Sequence, residues 1–180
     1  MPLTKATLSN KKVLVELTQV LRSIPDITYG RKTLLNEEIP ASSIGAHCRH
    51  IIEFYQGFIR GLSTGVIDYD SRARNSELES NRTLAIQQIE QISKELPVFI
   101  ASFSSTAPLD LQAQIDTQQV IKTQTTITRE LIFLQTHSVH HQAMIALLMI
   151  CFGLPTPSGL GVAISTRINN KQQEPQAADL

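Results

Sequence analysis

The five histidines of this 180-residue chain fall into two short stretches. His137, His140 and His141 lie in a long apolar stretch near the C-terminus, and His47 and His50 lie together much earlier. On a helix, His137 and His141 would stack on one face with their Cβ atoms about 5–6 Å apart, because residues four apart are neighbours there. Two imidazole nitrogens placed in this way can share one divalent cation. The pair therefore indicates part of a metal site that needs at least one further ligand.

A long amphipathic helix is predicted to position this pair. It begins near Thr126 or Thr128 and ends at about Phe152, with Gly153 as its stop and Pro155 beyond. The histidine pair shares its face with apolar residues, which directs both rings towards the core. That face carries Glu130, Leu134, Met144 and Leu148. His140 falls on its flank.

The upstream histidines lie on another amphipathic helix, predicted from about Ser43 to Leu62. His47 falls inside the apolar face of this helix, and His50 falls at the edge of that face one turn later. Helical phase slightly favours His47 as the third ligand and leaves His50 as the alternative. A lone buried histidine is usually a hydrogen-bonded core residue, but two clusters on two apolar faces favour a metal. Three protein ligands would leave coordination positions open for water or substrate.

Several neighbouring residues have simpler interpretations. Glu53 and Glu130 are candidate partners for imidazole N–H groups, although ordinary solvated helix charges are the simpler interpretation. Cys48 is interpreted as a core residue, since free cysteine is often buried. Arg72 and Arg74 could bind an anion, but their loop composition favours solvated side chains.

Two further helices and a strand pair complete the prediction. A first helix runs from Ser9 or Asn10 to about Ser23, after a lead-in over residues 1–10, and another runs from about Ser76 to Phe99. Apolar and polar residues alternate between 109 and 126, which indicates a β-hairpin with its turn near 116–117. The predicted fold is all-α, a four-helix bundle with a small β-hairpin insertion before the last helix. We expect a single domain over residues 1–180, of which about 168–180 form a mobile tail.

Composition excludes several classes of partner. Sixteen basic and sixteen acidic residues give a formal net charge of zero, which argues against nucleic acid. The longest apolar run is near 12 residues, whereas a membrane span needs about 20, so we expect no membrane segment. Cys48 and Cys151 form no CxxC pair and are expected to be free thiols of a cytoplasmic protein.

Three phrases of the sequence carry a family resemblance. The segments SSIGAHCRHIIEFY, IDYDSRARN and HSVHHQAMIALLMICFGLPTPSGLGVAIST together resemble the DinB-like (damage-inducible protein, DinB/YfiT-like) family of metalloproteins. The resemblance implies a four-helix bundle that is commonly dimeric and holds a divalent metal, most often nickel or zinc, with iron as a further candidate. The family pattern S/T-I-G-x-x-x-x-H would place one ligand at His50, and the His-x-x-x-His pair would place the others at His137 and His141.

Two functions are compatible with these features. The first is a metal-dependent enzyme acting on a small molecule, either a hydrolase or a thiol transferase, because related families transfer or open thiol cofactors. The second is a non-catalytic, dimeric bundle used in stress response, in which the histidines are structural. The sequence contains no Ser-His-Asp arrangement apart from the histidine clusters, and it assigns no catalytic residue or substrate.

Overall fold

The computed structural model describes residues 2–33 and 42–173, and the fold is mostly helical. In chain order, the elements are α1 (Pro2–Ser23), α2 (Asp26–Tyr29), α3 (Ile44–Thr64), β1 (Val66–Asp68), α4 (Ser76–Ser80), α5 (Arg82–Ile100), β2 (Pro108–Gln114), β3 (Val120–Thr126), α6 (Ile127–Cys151) and α7 (Ile164–Gln173). Each of α1 and α3 packs against both α5 and α6. The core lies between these four long helices, where apolar side chains at helical spacing meet. Its fully buried members include Leu14, Leu17, Leu21, Ile51, Tyr55, Phe58, Ile89, Leu96, Leu131 and Ile145.

The first helix begins at Pro2. The prediction that residues 1–10 form a lead-in before this helix is therefore wrong from Pro2 onwards. The physical reason lies at Asn10, which is completely buried and does not act as a cap. Its amide nitrogen donates to the carbonyl oxygens of Ala6 at 2.9 Å and Leu131 at 2.8 Å. Its amide oxygen accepts from the Tyr55 hydroxyl at 2.6 Å. One polar side chain thus ties α1, α3 and α6 together, with its hydrogen-bonding groups satisfied.

Helix α3 begins where the sequence predicted, because Ser43 caps it. The Ser43 hydroxyl accepts a hydrogen bond from the Ala46 amide at 3.0 Å. Gly45 allows α4 to approach closely: a Cβ at this position would lie 1.9 Å from the Glu79 carbonyl oxygen. The helix ends at Gly65, whose φ of 79° is a left-handed conformation that glycine adopts readily.

The predicted helix over 76–99 is two helices in the structure, α4 and α5, which meet at Asn81. The Asn81 side chain accepts a hydrogen bond from the Leu84 amide at 3.0 Å and so starts α5. Pro97 lies inside α5 without ending it, and the helix continues to Ile100.

The predicted β-hairpin before the last helix is confirmed. Strands β2 and β3 pair antiparallel, from Pro108 opposite Thr126 to Gln114 opposite Val120. The structure adds a short strand, β1, which pairs parallel with β2 and which the sequence did not predict. A three-residue strand is too short to show a period-two pattern.

The C-terminal region contains a helix that the sequence did not predict. Helix α7 covers residues 164–173, so the first part of the tail predicted from about 168 is helical. Arg167 connects this region to α1, since its guanidinium lies 3.3 Å from Glu16 and also donates to the Gly159 carbonyl. The remainder of that tail, 174–180, lies outside the described residues, as do residues 34–41. No helix among the described residues has the length and apolar character needed to cross a membrane.

Candidate metal centre

Helices α3 and α6 lie side by side and bring four histidines together. His50 Nε2 lies 3.0 Å from His137 Nε2, and His47 Nδ1 lies 3.0 Å from His141 Nδ1. The ring centroids of His50, His137 and His141 are separated by 4.4 to 5.0 Å. The two histidine clusters of the sequence therefore meet, as the spacing on two apolar helix faces predicted.

Three of these rings form a group that could hold a metal ion. His50, His137 and His141 each offer one nitrogen, and the three nitrogens lie within 4.8 Å of one another. Bonds of about 2.0–2.1 Å to a shared cation would separate two ligand nitrogens by about 2.9–3.4 Å, depending on the coordination angle. The His50–His137 separation of 3.0 Å already falls in that range. His140 is exposed beside the group, and its ring centroid lies 5.3 Å from that of His141.

His47, the alternative candidate on α3, contacts His141 but does not belong to the group of three rings. One of its ring nitrogens contacts His141, and Nε2 lies 3.1 Å from the Ser42 hydroxyl. This places His47 between Ser42 and His141, where it orients the His141 ring. Such a contact from behind a ligand fixes the orientation and tautomer of an imidazole.

The environment keeps the three rings of the group neutral. Burial lowers the pKa of His50 to about 3, with a further contribution from Arg72. Burial and its histidine neighbours lower the pKa of His141 to about 3, and burial together with His140 and Arg72 lowers that of His137 to about 4. A neutral imidazole has a free lone pair, which is the form that binds a metal. The metal-free site is therefore ready to accept a cation near pH 7.

These pKa values predict how the metal-free protein responds to acid. In the unfolded chain each ring has a pKa of about 6.5, whereas the folded values for His50, His137 and His141 are about 3 to 4. Between these values the unfolded state binds more protons than the folded state, so the free energy of unfolding falls as the pH falls from about 6.5 towards about 4. Urea denaturation of the metal-free protein across this range measures the effect.

The matched control is the triple variant His50→Gln, His137→Gln, His141→Gln, which keeps all other titrating groups. We expect its free energy of unfolding to depend less steeply on pH over the same range. Equal slopes in the two proteins would contradict the assignment of lowered pKa values to these rings.

Aromatic side chains form one wall of the centre. The ring of Phe54 stacks on His137 with centroids 4.2 Å apart and on Tyr69 at 4.9 Å. The centroid of Phe133 lies 5.4 Å from that of His137 and 6.1 Å from that of Phe54, so the two phenylalanines lie on the same part of the His137 surface. Stacked rings restrict the orientation of the imidazole and keep water from that side.

Arg72 was interpreted from the sequence as a solvated loop residue, and this was wrong. Its Nη1 lies 2.6 Å from His50 Nδ1, and its guanidinium carbon lies 5.1 Å from the centre of the Phe54 ring. Arg74 is exposed, as predicted, and has a φ of 50°. Helical periodicity cannot predict that Arg72 lies beside His50, because Arg72 is in a loop.

The loop that carries Arg72 is anchored at both ends. Asp68 accepts hydrogen bonds from the Asp70 and Ser71 amides at 2.9 and 3.0 Å, a turn typical of aspartate. At the other end, the Asn75 amide donates to Glu53 at 2.8 Å. Because both ends are fixed, the loop holds Arg72 over the histidines.

The two buried carboxylates have roles that neither interpretation of the sequence anticipated. Glu53 and Glu130 are 3% and 0% exposed, so they are not solvated charges. Glu130 accepts from the hydroxyls of Tyr69 at 2.8 Å and Thr125 at 2.6 Å. Within the described residues 2–33 and 42–173, neither carboxylate hydrogen-bonds to a histidine. Glu53 instead anchors the Arg72 loop, and Glu130 anchors the end of the hairpin.

The fold and the site together define a helical protein with a three-histidine centre between two helices. Residues 3–162 match the model of the DinB family, which is nearly the whole chain, so the protein belongs to this family. The chain is also similar to a protein of Rhizopus delemar named FK506-binding protein 5, with 36% identity over 110 residues. That match covers 60% of this chain but 28% of the relative, so the chain spans less than a third of that protein. No solved structure is significantly similar.

Proposed function

We propose that the protein binds one divalent metal ion through His50, His137 and His141. Nickel or zinc is the first choice and iron a further candidate, because imidazole suits all three metals. The observation that carries the proposal is the placement of three neutral imidazole nitrogens within 4.8 Å of one another on adjoining helices. Neutral ligands add no negative charge to a site with an apolar wall, so burying the metal-free site costs little free energy.

We further propose that the centre acts on a small molecule, as a hydrolase or a thiol transferase. A metal held by these three residues would supply Lewis-acid chemistry and would leave coordination positions open for a water molecule or a thiol. In this proposal His47 orients His141, and Phe54 and Phe133 exclude water from one side of His137. The chain itself contributes binding, orientation and a partly dry site. No separate catalytic residue is assigned.

The architecture that would carry this site is a four-helix bundle, built from α1, α3, α5 and α6 in a single domain over residues 1–180. A homodimer is part of the proposal. Its support is a set of exposed apolar side chains on the outer surfaces of α1 and α6, namely Leu8, Val15, Ile132, Leu147 and Ile150. Exposed apolar residues of this kind are typical of a surface that a second copy covers.

One observation favours the alternative, a non-catalytic bundle used in stress response. The histidines hydrogen-bond to one another in pairs, so their polar atoms have partners even without a metal. Such pairs could serve as structural links between α3 and α6.

Metal analysis of the purified protein separates the two functions. After reconstitution with nickel, zinc or iron and removal of loosely bound ions, we expect about one equivalent of metal per chain, as three converging ligands require. Elemental analysis by mass spectrometry measures the ratio. A chain that retains none of the three metals at neutral pH would favour the structural interpretation.

A further inference from the structure

Arg72 has an unusual set of partners for a half-buried arginine. Five other arginines form ion pairs with carboxylates, namely Arg22, Arg49, Arg82, Arg129 and Arg167. Arg72 forms no ion pair within the part of the chain that the structure describes. Its side chain contacts His50 and the face of Phe54, and its Nε is buried without a hydrogen-bond partner. A buried donor without a partner is costly, so this guanidinium is incompletely satisfied.

The contact with Arg72 determines the tautomer of His50. Arg72 Nη1 lies 2.6 Å from His50 Nδ1 and 3.5 Å from His50 Nε2. A guanidinium donates hydrogen bonds and accepts none, so the shorter contact makes Nδ1 the acceptor. The proton of the neutral ring is then on Nε2, which lies 3.0 Å from His137 Nε2 and donates to it. The metal-free site is thus a chain of hydrogen bonds that runs from Arg72 through His50 to His137.

This chain of hydrogen bonds cannot coexist with a metal bound at Nε2 of His50. Metal binding requires the lone pair of that nitrogen, so the ring proton must move to Nδ1. A protonated Nδ1 cannot accept a hydrogen bond from Arg72, and the N–H groups of the two side chains would then repel each other. Binding through Nδ1 instead would displace Arg72 directly, because the metal would take the same lone pair. In either case a metal at His50 releases the guanidinium from the ring.

We propose that Arg72, once released, binds the carboxylate of a small anionic substrate beside the metal. This inference rests on the proposed metal site and names the class of molecule that the site would take. The guanidinium presents parallel N–H groups that match a carboxylate, and it lies over His50, so one end of the substrate can reach the open metal positions. Its loop is anchored through Asp68 and Asn75, which limits the entropy lost on binding.

Metal and carboxylate should therefore bind cooperatively. The metal frees Arg72 and adds positive charge, and an anion bound to Arg72 withdraws the competing donor from His50. Because such coupling is reciprocal, each ligand should increase the affinity for the other by the same factor.

The test uses zinc and acetate as probes and follows the Nε–Hε signal of Arg72 by NMR in the full-length protein. We expect one equivalent of zinc to shift this signal, and acetate to shift it further in a saturable manner. Compared with the zinc-loaded wild type, acetate should bind at least roughly tenfold more weakly to the metal-free protein and to zinc-loaded Arg72→Gln. In Arg72→Gln, acetate binding is followed through the histidine ring signals. Arg74→Gln, which removes an exposed arginine of the same loop, is the control and should leave acetate affinity unchanged.

The outcomes separate this inference from the metal site itself. Stoichiometric zinc with an unmoved Arg72 signal, or equal acetate affinity in Arg72→Gln and wild type, would overturn the inference and leave the metal proposal standing. No zinc binding would overturn both. Arg72→Lys provides a second variant, which keeps the positive charge but lacks the parallel N–H groups of the guanidinium. Its acetate affinity should lie between those of wild type and Arg72→Gln.

Discussion

Replacement of His137 or His141 by alanine is expected to abolish stoichiometric metal binding. Each variant removes one of the three ligand nitrogens, and a metal ion held by the remaining two dissociates readily into solvent. We expect the affinity for zinc or nickel to fall by more than about a hundredfold, since even partners behind the ligands change metal affinity about 10–100-fold. Calorimetric titration of the metal-free proteins measures the loss.

The matched control is His140→Ala, because His140 lies on the same helix and is exposed beside the group. It should retain wild-type stoichiometry. A loss of metal in His140→Ala equal to that in His137→Ala would show that the cation binds on the outer flank of α6.

The same titration ranks the two histidines of α3. His50→Ala should reduce metal affinity more than His47→Ala, because His50 lies in the three-nitrogen group and His47 acts through His141. For His47→Ala we expect a loss of roughly tenfold. The reverse order would make His47 the ligand and agree with helical phase.

Gly45→Ala is expected to destabilise the protein strongly. An alanine Cβ would lie 1.9 Å from the Glu79 carbonyl oxygen and 2.9 Å from the Tyr29 ring. The first of these contacts is with backbone, so α3 and the end of α4 would have to separate. Overpacking of this kind costs about 3 kcal/mol, which urea denaturation with wild type as reference can measure.

Gly57→Ala, on the same helix, is the control for this prediction. Its Cβ would meet only ordinary contacts, at 3.5 Å from the Asp68 carbonyl oxygen and 3.6 Å from Tyr69. Alanine in a helix interior is more favourable than glycine by about 0.5–1 kcal/mol, so this variant should be as stable as wild type or slightly more so. A Gly45→Ala protein as stable as Gly57→Ala would mean that α4 does not pack against the start of α3 as described.

The features that the sequence predicted are those with a long or repeated pattern. The helices that carry His50 and His141 follow apolar periodicities over about twenty residues, and both begin at the predicted capping region. The hairpin before α6 followed from alternation across both of its strands. The convergence of the histidines could be predicted because both clusters lie on apolar faces, and such faces meet in the core.

The features that escaped prediction depend on contacts between distant parts of the chain. Asn10 has the residue type of a helix cap, but its partners, Tyr55 and Leu131, are far away in the sequence. Strand β1 needs β2 as a template, and Arg72 acquires its position from a loop anchored to Asp68 and Glu53. Local composition contains no signal for such partners. A close approach such as that at Gly45 is likewise visible only when both helices are in place.

The separation of His50 and His137 along the chain has a consequence for folding. The two rings are 87 residues apart in sequence but 3.0 Å apart in space. A cation held by both would act as a reversible cross-link that closes this large loop, comparable in its effect on chain entropy to a disulfide. Because the unfolded chain does not assemble the site, every increment of metal affinity would add to the stability of the folded state by mass action. The supply of metal would then set the free energy of unfolding as well as what the site can bind.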